Sequence, residues 1–160
     1  MTPPTGERLP GCVFCDIVAH EVPTDLVLDE RLVVAFLDKR PVFPGHVLIV
    51  PRAHFETLVD LSLPLIEPLF ATTRRVAAAV ERGMGADGTL VLENNRVSQS
   101  VPHLHVHVVP RRFKDGLRGF LWPRQRYQDE AAEAQVAAAI RATLATEPVA
   151  ESPAPGSAGG

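Results

Sequence analysis

The stretch PHLHVHVVPRR, residues 102–112, sets His103, His105 and His107 at alternate positions in a run otherwise carried by Leu104, Val106, Val108 and Val109. Strict alternation is the pattern of a β-strand, whose successive side chains point to opposite faces. On such a strand Leu104, Val106 and Val108 enter the core, and three imidazoles line the opposite surface. Imidazole serves as metal ligand, nucleophile, or acid and base near neutral pH, so that surface is a site candidate.

The flanking sequence supplies the rest of an α+β pattern. GTLVLEN (88–94) reads as a strand, as does LVVAFLD (32–38), which ends in Asp38. RPVFPGHVLIVPRAH (40–54) holds a Pro-Gly turn, the apolar run Val47 to Val50 and then Pro51, which closes a strand that His46 opens. Helical spacing recurs in CVFCDIVAHE (12–21), in SLPLIEPLFATTRRVAAAVERG (62–83) and in DEAAEAQVAAAIRATLA (129–145), where Val136, Ile140 and Leu144 lie four apart. Pro68 leaves the start of the second helix open, because proline is comfortable only in a first turn. The expectation is a sheet that carries the polar sites, with helices covering it.

Composition bounds the function. With 160 residues and 46% hydrophobic content the chain suits one domain, expected over 12–146, with mobile Pro-, Gly-, Ala- and Ser-rich segments at 1–11 and 147–160. A formal charge of −3 offers no basic field, so no nucleic-acid partner is expected and a nucleotide would need a local site. No apolar run approaches membrane-spanning length and no signal core precedes the domain, so a cytoplasmic protein without membrane contact is expected. Cys12 and Cys15, the only cysteines, are a free pair, a redox pair or half of a metal site.

The segment before the histidines adds Asn94, Asn95, Gln99 and Ser100, with arginines nearby, a hydrogen-bonding set suited to phosphoryl oxygens. A zinc hydrolase fits less well: one strand would have to supply every ligand, and no carboxylate lies in the histidine run to act on water. Covalent catalysis suits better, because an imidazole nitrogen attacking phosphorus divides one displacement into two easier steps. Phe14, Ile17 and Phe36 could line a purine pocket, which wants apolar surface on both faces of the base.

GHVLIVPRAH (45–54), QSVPHLHVHVVPR (99–111) and FLD (36–38) together resemble the histidine triad (HIT) family, whose signature is His, apolar, His, apolar, His, apolar, apolar. The resemblance implies an α+β unit with a strongly bent antiparallel sheet and covering helices, paired as a homodimer through a sheet continuous across the interface. It implies hydrolysis or transfer of nucleoside monophosphates from dinucleoside polyphosphates, with phosphoramidates, phosphorolysis or nucleotide binding with weak activity as the alternatives. Carried over by position, His105 matches the nucleophile, and His107 the triad member that contacts the α-phosphate, supported by His46. Asp38 matches the acceptor of ribose hydroxyl bonds, Gln99 and Ser100 the loop at the bridging oxygen and α-phosphate, and Asn94 the asparagine before it. Arg96 departs from the small residue usual at its position. Some bacterial relatives hold a structural zinc, and the matching ligands are Cys12, Cys15, His54 and His103.

Two further readings concern single segments. His20 has no partner in sequence and is expected on the surface. RFKDGLRGFLWPRQRY (112–127) carries Phe120, Trp122 and Tyr127, with five arginines across 111–126, and reads either as an edge of the pocket meeting distal phosphates or as a solvated loop.

Overall fold

Strands β2 (Val33–Leu37) and β3 (Val47–Pro51) are buried along their whole length except at Leu37. A strand buried on both faces needs cover on both sides, and alternate residues show where it comes from. Val33, Ala35, Val47 and Ile49 pack with Leu65, Leu69, Val76 and Val80 of helix α2 (Leu63–Gly83). Val34, Phe36, Leu48 and Val50 pack with Cys12, Phe14, Cys15 and Ile17, the start and inner face of helix α1 (Val13–Val18). The six-residue α1 is too short to persist alone, so it is held by what it buries.

The computed structural model describes residues 7–117 and 125–147. The chain divides into two units after Asp115, and the first contains the sheet. Five antiparallel strands follow the order β1 (Leu26–Asp29), β2, β3, β5 (Val106–Arg111), β4 (Gly88–Glu93). Between β3 and β4 the chain passes through a 3-10 turn (Leu58–Asp60) and then α2. That crossover leaves room for one strand, which β5 fills, pairing Leu48 with His107 on one side and Leu92 with His107 on the other. The histidine strand is therefore central, and its neighbours fix its register twice.

Helix α2 follows the sequence pattern, burying Leu65, Leu69, Thr72, Thr73, Val76 and Val80. It begins at Leu63 and carries Pro68 within it. Helix α3 (Glu130–Leu144) lies in the second unit, with the Asp129 side chain accepting the Ala132 amide at 2.7 Å. None of its side chains is buried. Within the N-terminal stretch read as mobile, Arg8 pairs with Asp16 at 2.8 Å and with Glu21. The rest of that reading, for residues 1–6 and 148–160, and those for Phe120, Trp122, Arg118 and Arg124 lie outside the described residues.

The histidine run departs from its sequence reading in two respects. The strand begins only at Val106, so His103, in a bend, and His105 lie in the segment that leads into it. Nor is the histidine face open surface: α1 roofs it, leaving His103 fully buried and His105 3% exposed. The predicted inward set is in place, with Leu104, Val106 and Val108 in the core against α2.

Candidate active site and metal cluster

Where α1 crosses the ends of β2 and β3 it leaves a cleft of about 290 Å³. Phe14 and Ile17 of α1, with Phe36 and Leu48 from adjacent strands, form an apolar floor, and Asp38, Ser100, His105 and His107 supply polar walls. The Phe14 ring meets Phe36 edge-on at 5.3 Å and His105 edge-on at 5.1 Å. Because Phe36 and Leu48 pair across the sheet, the period-2 pattern that buries one brings the other to the same face.

The hydrogen bonds fix which imidazole nitrogen carries each proton. His105 Nδ1 lies 2.6 Å from the His103 carbonyl oxygen. A carbonyl only accepts, so Nδ1 holds the proton and Nε2 of the neutral ring keeps its lone pair. The Val42 amide donates to His46 Nδ1 at 3.2 Å, which places the His46 proton on Nε2, 2.9 Å from His107 Nδ1. His107 then carries its proton on Nε2, a buried atom with no hydrogen-bond partner among the described residues. A buried donor left unpaired is costly, and its position in the cleft wall suits an incoming oxygen.

Electrostatics favour the same protonation states. Burial lowers the pKa of His105, against the opposing pull of the His103 carbonyl and Asp38. Burial, reinforced by His105 and His46, takes His107 down to about 4. Burial also lowers His46, although Asp38 Oδ2 stands 3.5 Å from its Nδ1. All three imidazoles are thus neutral at pH 7, as the hydrogen bonds require.

His103 faces the other way. Its Nε2 lies 3.0 Å from the Pro51 carbonyl and so carries the proton, freeing Nδ1. That Nδ1 is 3.5 Å from Cys12 Sγ, 3.6 Å from Cys15 Sγ and 3.3 Å from His54 Nδ1, and Cys15 Sγ is 3.5 Å from His54 Nδ1. A tetrahedral zinc with ordinary bond lengths would set N···N edges of about 3.3 Å and S···N edges of about 3.6 Å. These four separations match those edges, and all four donor atoms lie within 4.8 Å of one another, so the set fits a Cys2His2 ion. Asp38, His46 and His107 also cluster, but the short contact between their imidazoles is a hydrogen bond and uses a nitrogen that an ion would need.

The remaining candidates are placed unequally. Ser100 lines the cleft. Gln99 spends its side chain on backbone groups, donating to the Glu56 carbonyl of the segment after β3 at 2.6 Å and accepting the Arg96 amide of its own loop at 2.8 Å. Asn94 is half-buried and outside the cleft lining. His20 is exposed and meets Asp29 at 3.2 Å. Arg111 is clasped by Asp115, and Arg112 donates to the Met84 carbonyl. Sequence reasoning passed over Lys39 and Arg40, which also line the cleft; their place directly after Asp38 was the available signal.

A buried histidine relay facing a cleft, set on an antiparallel sheet beside a Cys2His2 cluster, defines the class, and residues 19–114 match the HIT domain family. The chain belongs to that family. It is 34% identical over 119 residues to the adenosine 5′-monophosphoramidase HNT1 of Saccharomyces cerevisiae, covering 72% of each protein. Among solved structures it resembles SMU.412c of Streptococcus mutans, with a TM-score of 0.78, 31% identity and coverage of 85% of this chain and 87% of that one. It also resembles a zinc-bound histidine triad family protein of Mycobacterium smegmatis, with a TM-score of 0.63, 31% identity and coverage of 86% and 98%. No helix among the described residues is long and apolar enough to cross a membrane.

Proposed function

We propose that the protein is a nucleotidyl hydrolase or transferase that acts on dinucleoside polyphosphates through a covalent nucleotidyl-histidine intermediate. The observation that carries this reading is the pairing of two opposite tautomers in one cleft: a bare Nε2 on His105 beside an unpartnered Nε2–H on His107. His105 Nε2 attacks the α-phosphorus, a P–N bond forms, and the P–O bond to the leaving group breaks with its electron pair. The His107 Nε2–H bonds a phosphoryl oxygen as charge builds there, and His46 holds His107 in the tautomer that can do so. Water then attacks phosphorus, the P–N bond breaks, and His105 is restored as the nucleoside monophosphate leaves. The Asp38 carboxylate takes ribose hydroxyls, Ser100 meets the phosphate, and the apolar floor from Phe14, Ile17 and Phe36 takes the base.

Cys12, Cys15, His54 and His103 would hold a structural zinc, which supplies folding energy by fastening α1 to the sheet. A second copy of the chain pairs through the β4 edge, where Val91 is 44% exposed, and Leu63, Ile66 and Phe70 of α2 are exposed as well. The kinship with a monophosphoramidase favours one second reading, in which the bond broken at phosphorus is P–N.

The test is product analysis in oxygen-18 water, with and without inorganic phosphate, using diadenosine tetraphosphate and adenosine phosphoramidate in parallel. Labelled AMP with ATP establishes the hydrolase, ADP formed only with phosphate makes the protein a phosphorylase, and turnover of the phosphoramidate alone selects the second reading. Failure of both substrates would sink the proposal.

A further inference from the structure

Charge within the cleft is unevenly placed. Among the described residues, Asp38 is the single carboxylate of the lining, and the cations Lys39 and Arg40 follow it directly on the same wall. The Asp38 side chain accepts the Arg40 amide at 2.8 Å through Oδ1 and faces His46 through Oδ2, and it forms an ion pair with neither cation. The Lys39 ammonium reaches the Pro23 carbonyl at 3.4 Å, a contact with a neutral acceptor that leaves its charge uncompensated. The Arg40 guanidinium makes no hydrogen bond or ion pair among the described residues, and both side chains are exposed. With the histidines neutral, this wall carries a net positive charge that the reacting phosphate, which His105 and His107 face, does not need.

Resting on the nucleotide reading above, we propose that Lys39 and Arg40 form a second anion subsite that selects nucleotides carrying a phosphate beyond the one that reacts. A guanidinium offers paired donors that match phosphate oxygens, and an ammonium adds a mobile point charge. The extra phosphate has two chemical sources. It is either a ribose phosphate, reached past Asp38, or the next phosphate of the 5′ chain, reached past His107. Both present anionic phosphoryl oxygens to the same pair of cations.

Titration calorimetry with AMP, adenosine 3′,5′-bisphosphate and ATP separates these sources in the wild-type chain and in the K39Q/R40Q double variant. The wild type should bind one of the two richer nucleotides about 10-fold more tightly than AMP, a change of the size expected for a charge-assisted contact. The double variant should lose that preference, its affinity for the richer nucleotide falling to its affinity for AMP. Preference for the 3′,5′-bisphosphate places the anion on the ribose, and preference for ATP places it on the 5′ chain. Equal affinities for all three in the wild type would overturn the subsite while leaving the nucleotide reading intact, provided AMP binds. Loss of AMP binding in the variant would give the two cations a structural role instead. Absence of any nucleotide binding by the wild type would overturn both proposals together.

Discussion

His103 and His105 sit two residues apart, both buried, yet they belong to different chemistries. Their surroundings differ in one respect that decides the outcome: which ring nitrogen meets a backbone carbonyl. His103 gives its Nε2 proton to Pro51 and turns Nδ1 toward two thiols and a second imidazole. His105 gives its Nδ1 proton to the carbonyl of His103 and leaves Nε2 bare in the cleft. A histidine's task is set less by its position in a motif than by the acceptor that claims its other nitrogen. The two regions also share a wall, because Phe14, between the two cysteines, lies edge-on to His105 at 5.1 Å and to His103 at 6.0 Å.

The largest expected effect breaks the comparison at its centre. His105→Ala should lower turnover by roughly 10⁴-fold or more, as loss of a covalent nucleophile does, while zinc content and nucleotide binding persist. His103→Ala should do the reverse, losing the metal first and activity only as a consequence. Metal analysis and single-turnover kinetics on both variants check the contrast. Normal turnover by the His105 variant would end the covalent mechanism.

Next in size is removal of the metal. Chelation, or Cys12→Ser with Cys15→Ser, should cost about 4 kcal/mol if zinc stands a thousand-fold above its dissociation constant. For a domain of this size that lowers the melting midpoint by roughly 10–20 °C. The checking measurements are differential scanning calorimetry and metal content. Protein purified without chelators that holds no metal and melts unchanged after chelation would remove zinc from the account.

A smaller effect tests the relay. Gly45 has φ of +96°, and a Cβ there would come within 2.7 Å of Met84 Cγ. Gly45→Ala therefore strains the turn that presents His46, and His46→Ala removes the donor that fixes the His107 tautomer. Both should lower kcat, His46→Ala by roughly 10²-fold, a value typical of a lost oxyanion donor. KM should change little. A variant of His46 with unchanged kcat would show that His107 needs no support.

Much of this was legible in advance because period-2 alternation survives burial. The inward set of Leu104, Val106 and Val108, a strand running up to Asp38 and another beginning after His46, and a helix that ends at Gly83, though not where it starts, follow from pattern and turn chemistry. Alternation could not show that the outward face was roofed. Covering it falls to α1, a helix held by only a few buried residues, whose docking depends on side chains distant in sequence such as Leu48 and Val50. Nor could sequence separate Gln99 from Ser100, since one bonds the backbone of Glu56 and Arg96 and the other is left on the cleft. Their loop holds Arg96 at φ 66° and Ser98 at φ 60°, conformations that neither residue type announces.

The smallest effect concerns pH. An exposed imidazole of ordinary pKa 6.5 is about three-quarters protonated at pH 6, and a nucleophile of that kind would lose about that share of its rate. Burial lowers His105, and it lowers His107 to about 4, so protonation of both is deferred to more acid solution. The sign follows from linkage: the unfolded chain binds protons near 6.5 and the folded chain does not, so stability from these rings is present above that value and is lost as pH falls through it toward their folded pKa values. Between pH 7 and 6, kcat for the wild type should therefore fall by less than it would for such an exposed imidazole, and the acid limb of kcat should lie below 6.5. Phe14→Ala opens the roof over His105 and readmits water, which should move that limb back toward 6.5. A wild-type limb already at 6.5 would mean that the ring is solvated in the working enzyme, and the distinction between the roofed His105 and an ordinary surface imidazole would fail.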